Sequence, residues 1–140
     1  MRTPHLPTSS LLFNNYNSLF TAICILFVGL ALTACDPDEG FGGNASIEGV
    51  VAHHHDPIAN SIVYIKFDAT EFPGSDVTLY DDETDADAEG NYEFTGLKKG
   101  NYYLYGVGWD SLFTDSVFGG VPAEISKKDE VLILEVPVTE

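Results

Sequence analysis

The stretch from Thr84 to Gly106, TDADAEGNYEFTGLKKGNYYLYG, decides the fold of this chain. It begins with an acidic turn, because Asp and Asn side chains bond their own backbone and glycine tolerates positive φ. Tyr92 and Phe94 then alternate with polar residues, as in a strand that buries one face. A second turn at residues 96–100 leads to a longer alternating strand that starts near Tyr102. The tight turn predicts that the two strands are neighbours in one sheet.

Further strand-like runs, separated by turn residues, lie on both sides of this stretch. Strands are predicted at residues 45–52, 61–67, 77–80, 92–95, 101–109 and 130–138, whereas residues 110–122 are predicted as a loop. Alternation places on the inner faces Ile47, Gly49, Val51, Val63, Ile65, Phe67, Leu132, Leu134, Val136 and Val138. Six or seven short strands without helical periodicity predict an all-β protein, a single antiparallel β-sandwich.

The first 34 residues predict a lipoprotein signal peptide. Residues 19–32 form an apolar run that is shorter than the roughly 20 residues of a membrane-spanning helix. The sequence Leu32-Thr33-Ala34-Cys35 resembles a bacterial lipobox. This resemblance implies cleavage before Cys35 and lipidation of its sulfur with acyl chains. The alternative is an ordinary secretory signal with an incidental cysteine.

Residues 35–43 are predicted to form an acidic, flexible tether that holds the following domain off the bilayer. Asp36, Asp38 and Glu39 stand directly behind the cysteine. This run resembles the surface-export signal of lipoproteins in a Gram-negative phylum rich in glycan-harvesting systems, which implies an outer-membrane, surface-facing location. An aspartate immediately after the cysteine also resembles the inner-membrane retention signal of other Gram-negative bacteria, so that location stays open.

The charge of the chain argues against a nucleic-acid partner. All 22 acidic residues lie after Cys35, whereas Arg2, one of the six basic residues, precedes it. Cleavage leaves five basic residues against 22 acidic ones, a formal net charge near −17. Such a domain repels phosphates and anionic lipid headgroups. We expect attachment to the membrane through the lipid anchor, since two acyl chains are enough for stable anchoring.

Residues 44–140 resemble a carboxypeptidase regulatory-like domain. The resemblance is carried by IEGVV at residues 47–51, by IANSIVY at residues 58–64, and by the turn and strand at residues 84–97. It implies a seven-stranded sandwich of transthyretin-like, Greek-key topology. It also implies a non-catalytic accessory or binding module, the usual role of this family. The linker at residues 68–76 is longer than the family often has.

The acidic turn is one candidate metal site. Six carboxylates occur within residues 81–89, and a hard cation such as Ca²⁺ relieves their repulsion. Asp85, Asp87 and Glu89 are spaced as in the first half of a calcium-binding loop. The twelfth position, however, is Gly96 instead of a bidentate glutamate, which excludes an EF-hand. An improvised Ca²⁺ site and a solvated acidic turn remain, of which we favour the solvated turn.

Three consecutive histidines form a second candidate metal site. In an extended segment His53 and His55 point to one side and His54 to the other, so at most two of them share an ion. Zinc usually takes three or four well-spaced protein ligands. We favour the alternative of a polar loop that gains charge below about pH 6.5.

An aromatic stripe is the candidate ligand-binding surface. Tyr103, Tyr105 and Trp109 lie on the strand face opposite Tyr102. Exposed flat rings suit the faces of sugars, and exposed apolar patches often mark binding sites. We favour the alternative in which apolar residues after the strand fold back over the stripe, namely Leu112, Phe113, Val117 and Phe118.

Catalysis has little support in the sequence. After Cys35 the chain contains no arginine, no Gly-x-Ser-x-Gly and no His-Glu-x-x-His. We therefore expect a non-enzymatic, lipid-anchored binding or structural module without a cofactor, acting on a glycan or an outer-membrane protein in glycan uptake or adhesion. One alternative is a metal-dependent periplasmic or surface enzyme that uses His53–His55 and the acidic turn. Another is a spacer in a larger complex.

Overall fold

The computed structural model describes residues 39–140, which form two packed β-sheets. The strands are β1 (Phe41–His53), β2 (Asp56–Pro57), β3 (Ile62–Phe67), β4 (Asp82–Asp85), β5 (Asn91–Leu97), β6 (Gly100–Asp110), β7 (Asp115–Ile125), β8 (Val131–Ile133) and β9 (Val136–Pro137). A single 3₁₀ turn, Val77–Leu79, lies between β3 and β4. Within this described part of the chain, no helix is long and apolar enough to cross a membrane. The prediction of an all-β sandwich is confirmed.

The first sheet is built around β1. This strand pairs antiparallel with β2 and β5, and parallel with β8 and β9. The second sheet has the order β4-β3-β6-β7, with every pair antiparallel. The sandwich is therefore rich in antiparallel pairs, and the parallel pairs of β1 are the departure from a wholly antiparallel arrangement. It has nine strands where seven were expected, and two of them, β2 and β9, are only two residues long.

The core lies between the sheets, on the faces that the alternation predicts. Tyr92 and Phe94 of β5 and Tyr102 of β6 are buried together with residues from most other strands. These residues include Ile47, Val51, Val63, Ile65, Leu97, Leu104, Val117, Ile125, Val136 and Val138. Leu132 and Leu134 pack against this core. The inner faces predicted from sequence are confirmed.

The two strands within the stretch from Thr84 to Gly106 lie in opposite sheets, so the prediction that they are sheet neighbours is wrong. β5 pairs with β1, whereas both edges of β6 are occupied by β3 and β7. Gly96 (φ 72°) and Gly100 (φ 143°) have the positive φ that glycine adopts readily, and they carry the chain from one sheet to the other. Alternation indicates which face of a strand is buried but not which strand lies beside it.

Two strand assignments also differ from the prediction. Residues 77–80, predicted as a strand, contain the 3₁₀ turn, which is capped by the Asp76 carboxylate accepting the Thr78 N–H at 3.0 Å. Residues 110–122, predicted as a loop, contain most of β7. Two glycines and a proline interrupt the apolar alternation of β7. This is why the alternation did not predict the strand.

Residues 39–43 belong to the sandwich and not to the flexible tether predicted at residues 35–43. Gly40 is buried, and its N–H donates to the Tyr102 hydroxyl at 3.1 Å. Phe41 begins β1 and packs edge-on against Phe67, with 5.4 Å between ring centroids. The ordered domain therefore starts earlier than residue 44. The predicted signal peptide and Cys35 lie outside the described residues.

Residues 136–139, here called the closing segment, connect the two sheets. Val136 and Pro137 pair with β1 of the first sheet, and the Val138 N–H donates to the Ala52 carbonyl at 3.0 Å. Thr139 exchanges two backbone hydrogen bonds with Phe118 of β7, at 2.9 and 3.0 Å. This segment fixes the backbone next to Glu140 at the end of β1.

Candidate functional site

Tyr103 and Tyr105 project from the outer face of β6 but do not reach solvent. They are only 8% and 3% exposed, because the linker after β3 folds back over them. The Phe72 ring lies 5.9 Å from the Tyr103 ring and 5.4 Å from the Tyr105 ring, and Tyr80 stacks on Tyr105 at 5.5 Å. Burial raises the pKa of Tyr80, Tyr103 and Tyr105. The stripe is covered here by the linker and not by residues 112–118, so Tyr103 and Tyr105 do not offer the exposed aromatic face that the binding hypothesis requires.

Trp109, near the end of the same strand, remains accessible. Its side chain is 55% exposed and borders a groove of about 450 Å³ between the β6–β7 turn and residues 56–60. The polar residues Asp56, Asn60 and Ser111 also line this groove. An exposed indole beside a few hydrogen-bonding groups is able to stack on a ring and to orient it. Of the three aromatic residues predicted for ligand binding, Trp109 alone faces solvent.

Asp110 fixes the turn that carries one wall of the groove. Its Oδ1 accepts the N–H groups of Leu112 at 2.7 Å and Phe113 at 3.2 Å, and its Oδ2 accepts the Nδ1–H of His53 at 2.7 Å. The hydrogen bond from His53, together with the two backbone N–H groups, holds the pKa of Asp110 below its usual range despite burial. Asp110 is therefore an ionised acceptor that ties the β6–β7 turn to β1.

His53 is buried beneath this turn, with one ring nitrogen lacking a partner. Because the Asp110 carboxylate accepts the Nδ1–H, the hydrogen bond selects, of the two neutral tautomers, the one whose lone pair is on Nε2. No hydrogen-bond partner in the described part of the chain reaches this buried Nε2. Oε1 of Glu140 is 4.0 Å from it, and the His54 ring centroid is 4.2 Å from that of His53.

The structure regroups the histidines predicted as metal ligands. β1 ends at His53, and His54 and His55 form a turn with left-handed backbone, at φ 51° and 74°. The extended-strand argument that paired His53 with His55 is therefore wrong. His53, His54 and Glu140 instead bring one possible ligand atom each to within 4.8 Å of one another. Sequence spacing gave no indication of Glu140, because it lies 87 residues after His53 in the chain and only the fold brings the two together.

The acidic turn uses its carboxylates differently from the prediction. Asp85 lies on β4, whereas Oδ1 of Asp87 accepts the N–H groups of Glu89 at 2.9 Å and Asn91 at 2.8 Å. The hydrogen bonds from Asn91 hold the pKa of Asp87 below its usual range. Among the described residues, Asp85, Asp87 and Glu89 do not bring their oxygens together as a group of metal ligands. The geometry therefore does not support the improvised Ca²⁺ site that the sequence left open beside the favoured solvated turn.

No family model and no curated protein sequence matches this chain. Among solved structures, it is similar to a proposed carbohydrate-binding protein from Pseudomonas aeruginosa, with 11% identity and a TM-score of 0.49 over 70% of this chain and 90% of the other. It is also similar to a 9R-lipoxygenase from Cyanothece, with 12% identity and a TM-score of 0.29 over 85% of this chain and 23% of the enzyme. The fold therefore follows from the strand pairing described above, and these likenesses identify no family.

Proposed function

We propose that this chain is a lipid-anchored, surface-facing binding module that holds a carbohydrate in the groove beside Trp109. The observation that carries the binding proposal is the 55% exposed indole on the rim of a groove of about 450 Å³. An indole stacks on the apolar face of a sugar ring, while Asn60, Ser111 and Asp56 are able to bond hydroxyl groups at its edge. A neutral sugar also suits a strongly acidic domain, which repels anionic ligands.

The walls of the groove are held in place before any ligand arrives, which supports the binding proposal. On one side the Asp110 carboxylate fixes the β6–β7 turn. On the other side Ile58 is buried, and its carbonyl accepts the Ser61 hydroxyl at 3.1 Å. The Asn60 N–H donates to the Asp87 carbonyl at 2.9 Å. A preformed groove loses little conformational entropy on binding.

Trp109→Ala is expected to weaken carbohydrate binding by about 2 kcal/mol, roughly a 30-fold increase in Kd, because it removes the stacking surface. The measurement begins with a glycan array probed with the full-length chain in detergent. Calorimetric titration of the best-binding sugar then gives Kd for the unaltered protein and for the variant.

The matched control for this experiment is Phe72→Ala. Phe72 is 53% exposed, close to the value for Trp109, but it lies on the linker that covers Tyr103 and Tyr105 and not at the groove. This control variant is expected to bind the sugar as the unaltered protein does. Equal losses in both variants, or no sugar retained by the unaltered protein, would refute the binding proposal.

The lipid anchor is supported by the lipobox-like sequence that ends at Cys35. Cys35→Ser is expected to abolish incorporation of a labelled fatty acid and to move the chain out of the detergent-rich phase. Without acyl chains, the strongly acidic domain is expected to be repelled by anionic lipid. The measurement is metabolic labelling combined with phase partitioning. Unchanged labelling of the variant contradicts the anchor, and digestion by protease added to intact cells tests the surface-facing orientation.

A further inference from the structure

We propose that His53, His54 and Glu140 bind a divalent transition-metal ion, with zinc as the expected ion. Two imidazoles and a carboxylate are a ligand set that proteins use for zinc. The three side chains meet at the end of β1, where the closing segment brings Glu140 beside the histidine turn. None of the three lines the groove beside Trp109, but Asp110, which does line that groove, also holds His53 in place.

The first observation behind the proposal is the unpartnered Nε2 of His53. The residue is 1% exposed, and this nitrogen has no hydrogen-bond partner among the described residues. Buried polar atoms in folded proteins are nearly always paired, since an unpaired one loses its bond to water without replacement. The lone pair on Nε2 is a metal-binding group, and an ion bound there would supply the missing partner.

The second observation is the hydrogen bond between Asp110 and His53. It fixes the His53 ring in the way that a metal-binding histidine is commonly fixed. A ligating histidine usually donates its other ring N–H to a carboxylate or carbonyl, which fixes its tautomer and orientation. Asp110 accepts the Nδ1–H of His53 at 2.7 Å and is itself fixed by two backbone N–H groups of the β6–β7 turn. Asp110 is therefore a positioning residue that acts through His53.

The third observation is the spacing of the ligand atoms. Around an ion with bonds of about 2.1 Å, tetrahedral ligand atoms stand roughly 3.4 Å apart. Nε2 of His53 and Oε1 of Glu140 are 4.0 Å apart, and all three ligand atoms lie within 4.8 Å of one another. The buried His53 is the fixed ligand, while the exposed His54 and Glu140 close the remaining distance by side-chain rotation. Three protein ligands leave one position for water or an exogenous group.

The test titrates Zn²⁺ into the full-length chain, purified in detergent without a polyhistidine tag and freed of metal with a chelator. We expect one ion per chain with a Kd of about 1 μM or tighter by calorimetry. His54→Gln and Glu140→Gln should each raise Kd at least about tenfold, because each removes one ligand. The matched control is His55→Gln, which alters the neighbouring residue of the same turn, also at positive φ, and should leave Kd unchanged.

Two further measurements address His53 and Asp110. Long-range ¹⁵N–¹H spectra of the unaltered protein should identify the Nδ1–H tautomer of His53 and show a large Nε2 shift on zinc saturation. Asp110→Asn should weaken zinc binding about 10–100-fold, as for other residues that orient a ligating histidine. The proposal is overturned if the unaltered protein shows no saturable binding below about 100 μM. It is equally overturned if His55→Gln weakens binding as much as His54→Gln, or if Nε2 does not shift.

Discussion

Replacing Tyr102 by alanine is expected to lower the free energy of unfolding by about 3–5 kcal/mol. The side chain is completely buried between the two sheets, where its ring packs edge-on against Phe67 with 5.8 Å between centroids. Its removal leaves a cavity between the sheets. Domains of this size are typically stable by about 5–15 kcal/mol, so the loss is a large part of the total. Denaturant unfolding followed by circular dichroism measures it.

Tyr102→Phe is the control that separates the ring from its hydroxyl. The hydroxyl donates to the Lys98 carbonyl at 2.7 Å and accepts the Gly40 N–H at 3.1 Å. Burial raises the pKa of Tyr102, so the phenol keeps its proton. We expect Tyr102→Phe to cost about 1–2 kcal/mol and to speed hydrogen exchange at the Gly40 amide. If Tyr102→Phe lowers the free energy of unfolding as much as Tyr102→Ala does, the role assigned to the ring is contradicted.

Gly49→Ala is expected to lower the free energy of unfolding by about 3 kcal/mol, at the upper end of the range for overpacking. A Cβ atom built on Gly49 lies within van der Waals overlap of the Leu134 backbone, whose carbonyl carbon is 2.7 Å from it. Backbone atoms cannot rotate away, so β1 and the chain between β8 and β9 must separate. The hydrogen bond from the Leu134 N–H to the Glu48 carbonyl, 2.9 Å long, should open first. Faster exchange of the Leu134 amide measures this opening.

The matched control is the same substitution at Gly106, which lies on the inner face of β6. A Cβ there meets methyl groups of Val136, Val138 and Val51 at 3.0 to 3.3 Å, and side chains adjust more readily than backbone. We expect this variant to cost about 1 kcal/mol and to leave the Leu134 amide protected. Equal costs at the two glycines would show that crowding by the Leu134 backbone is not the cause.

Alternation predicted the core of this sandwich but not its strand pairing. Tyr92 and Tyr102 are buried as predicted, because a period of two identifies the inner face of any half-buried strand. Their strands nevertheless lie in different sheets. Which strands pair depends on which strand edges are free, and the alternation of residues within one strand does not indicate this. β7 was missed for a related reason. Its place is set by pairing along all of β6, which compensates for its two glycines and its proline.

The candidate sites were predicted only where local sequence controls exposure. Trp109 was placed on the outer face of β6, but the favoured interpretation covered that face, whereas the Trp109 side chain is 55% exposed. Tyr103 occupies the same face but is covered by Phe72. Phe72 lies on a linker without apolar–polar alternation, so its position was not predicted. The partners of His53 could not be predicted from the sequence. Asp110 and Glu140 meet it only after the sheets have packed, so no spacing within the histidine run predicts them.

The parallel pairing of β1 has a consequence for the way the chain folds. β1 emerges early in synthesis, yet its partners in β8 are roughly 85 residues further along the chain. Until those residues arrive, the apolar face that holds Ile47 and Val51 stays without part of its sheet. Contacts of such long range fold slowly, and unpaired strand edges aggregate. The incomplete sandwich is therefore the state in which this chain is most prone to aggregate, until the closing segment pairs with β1.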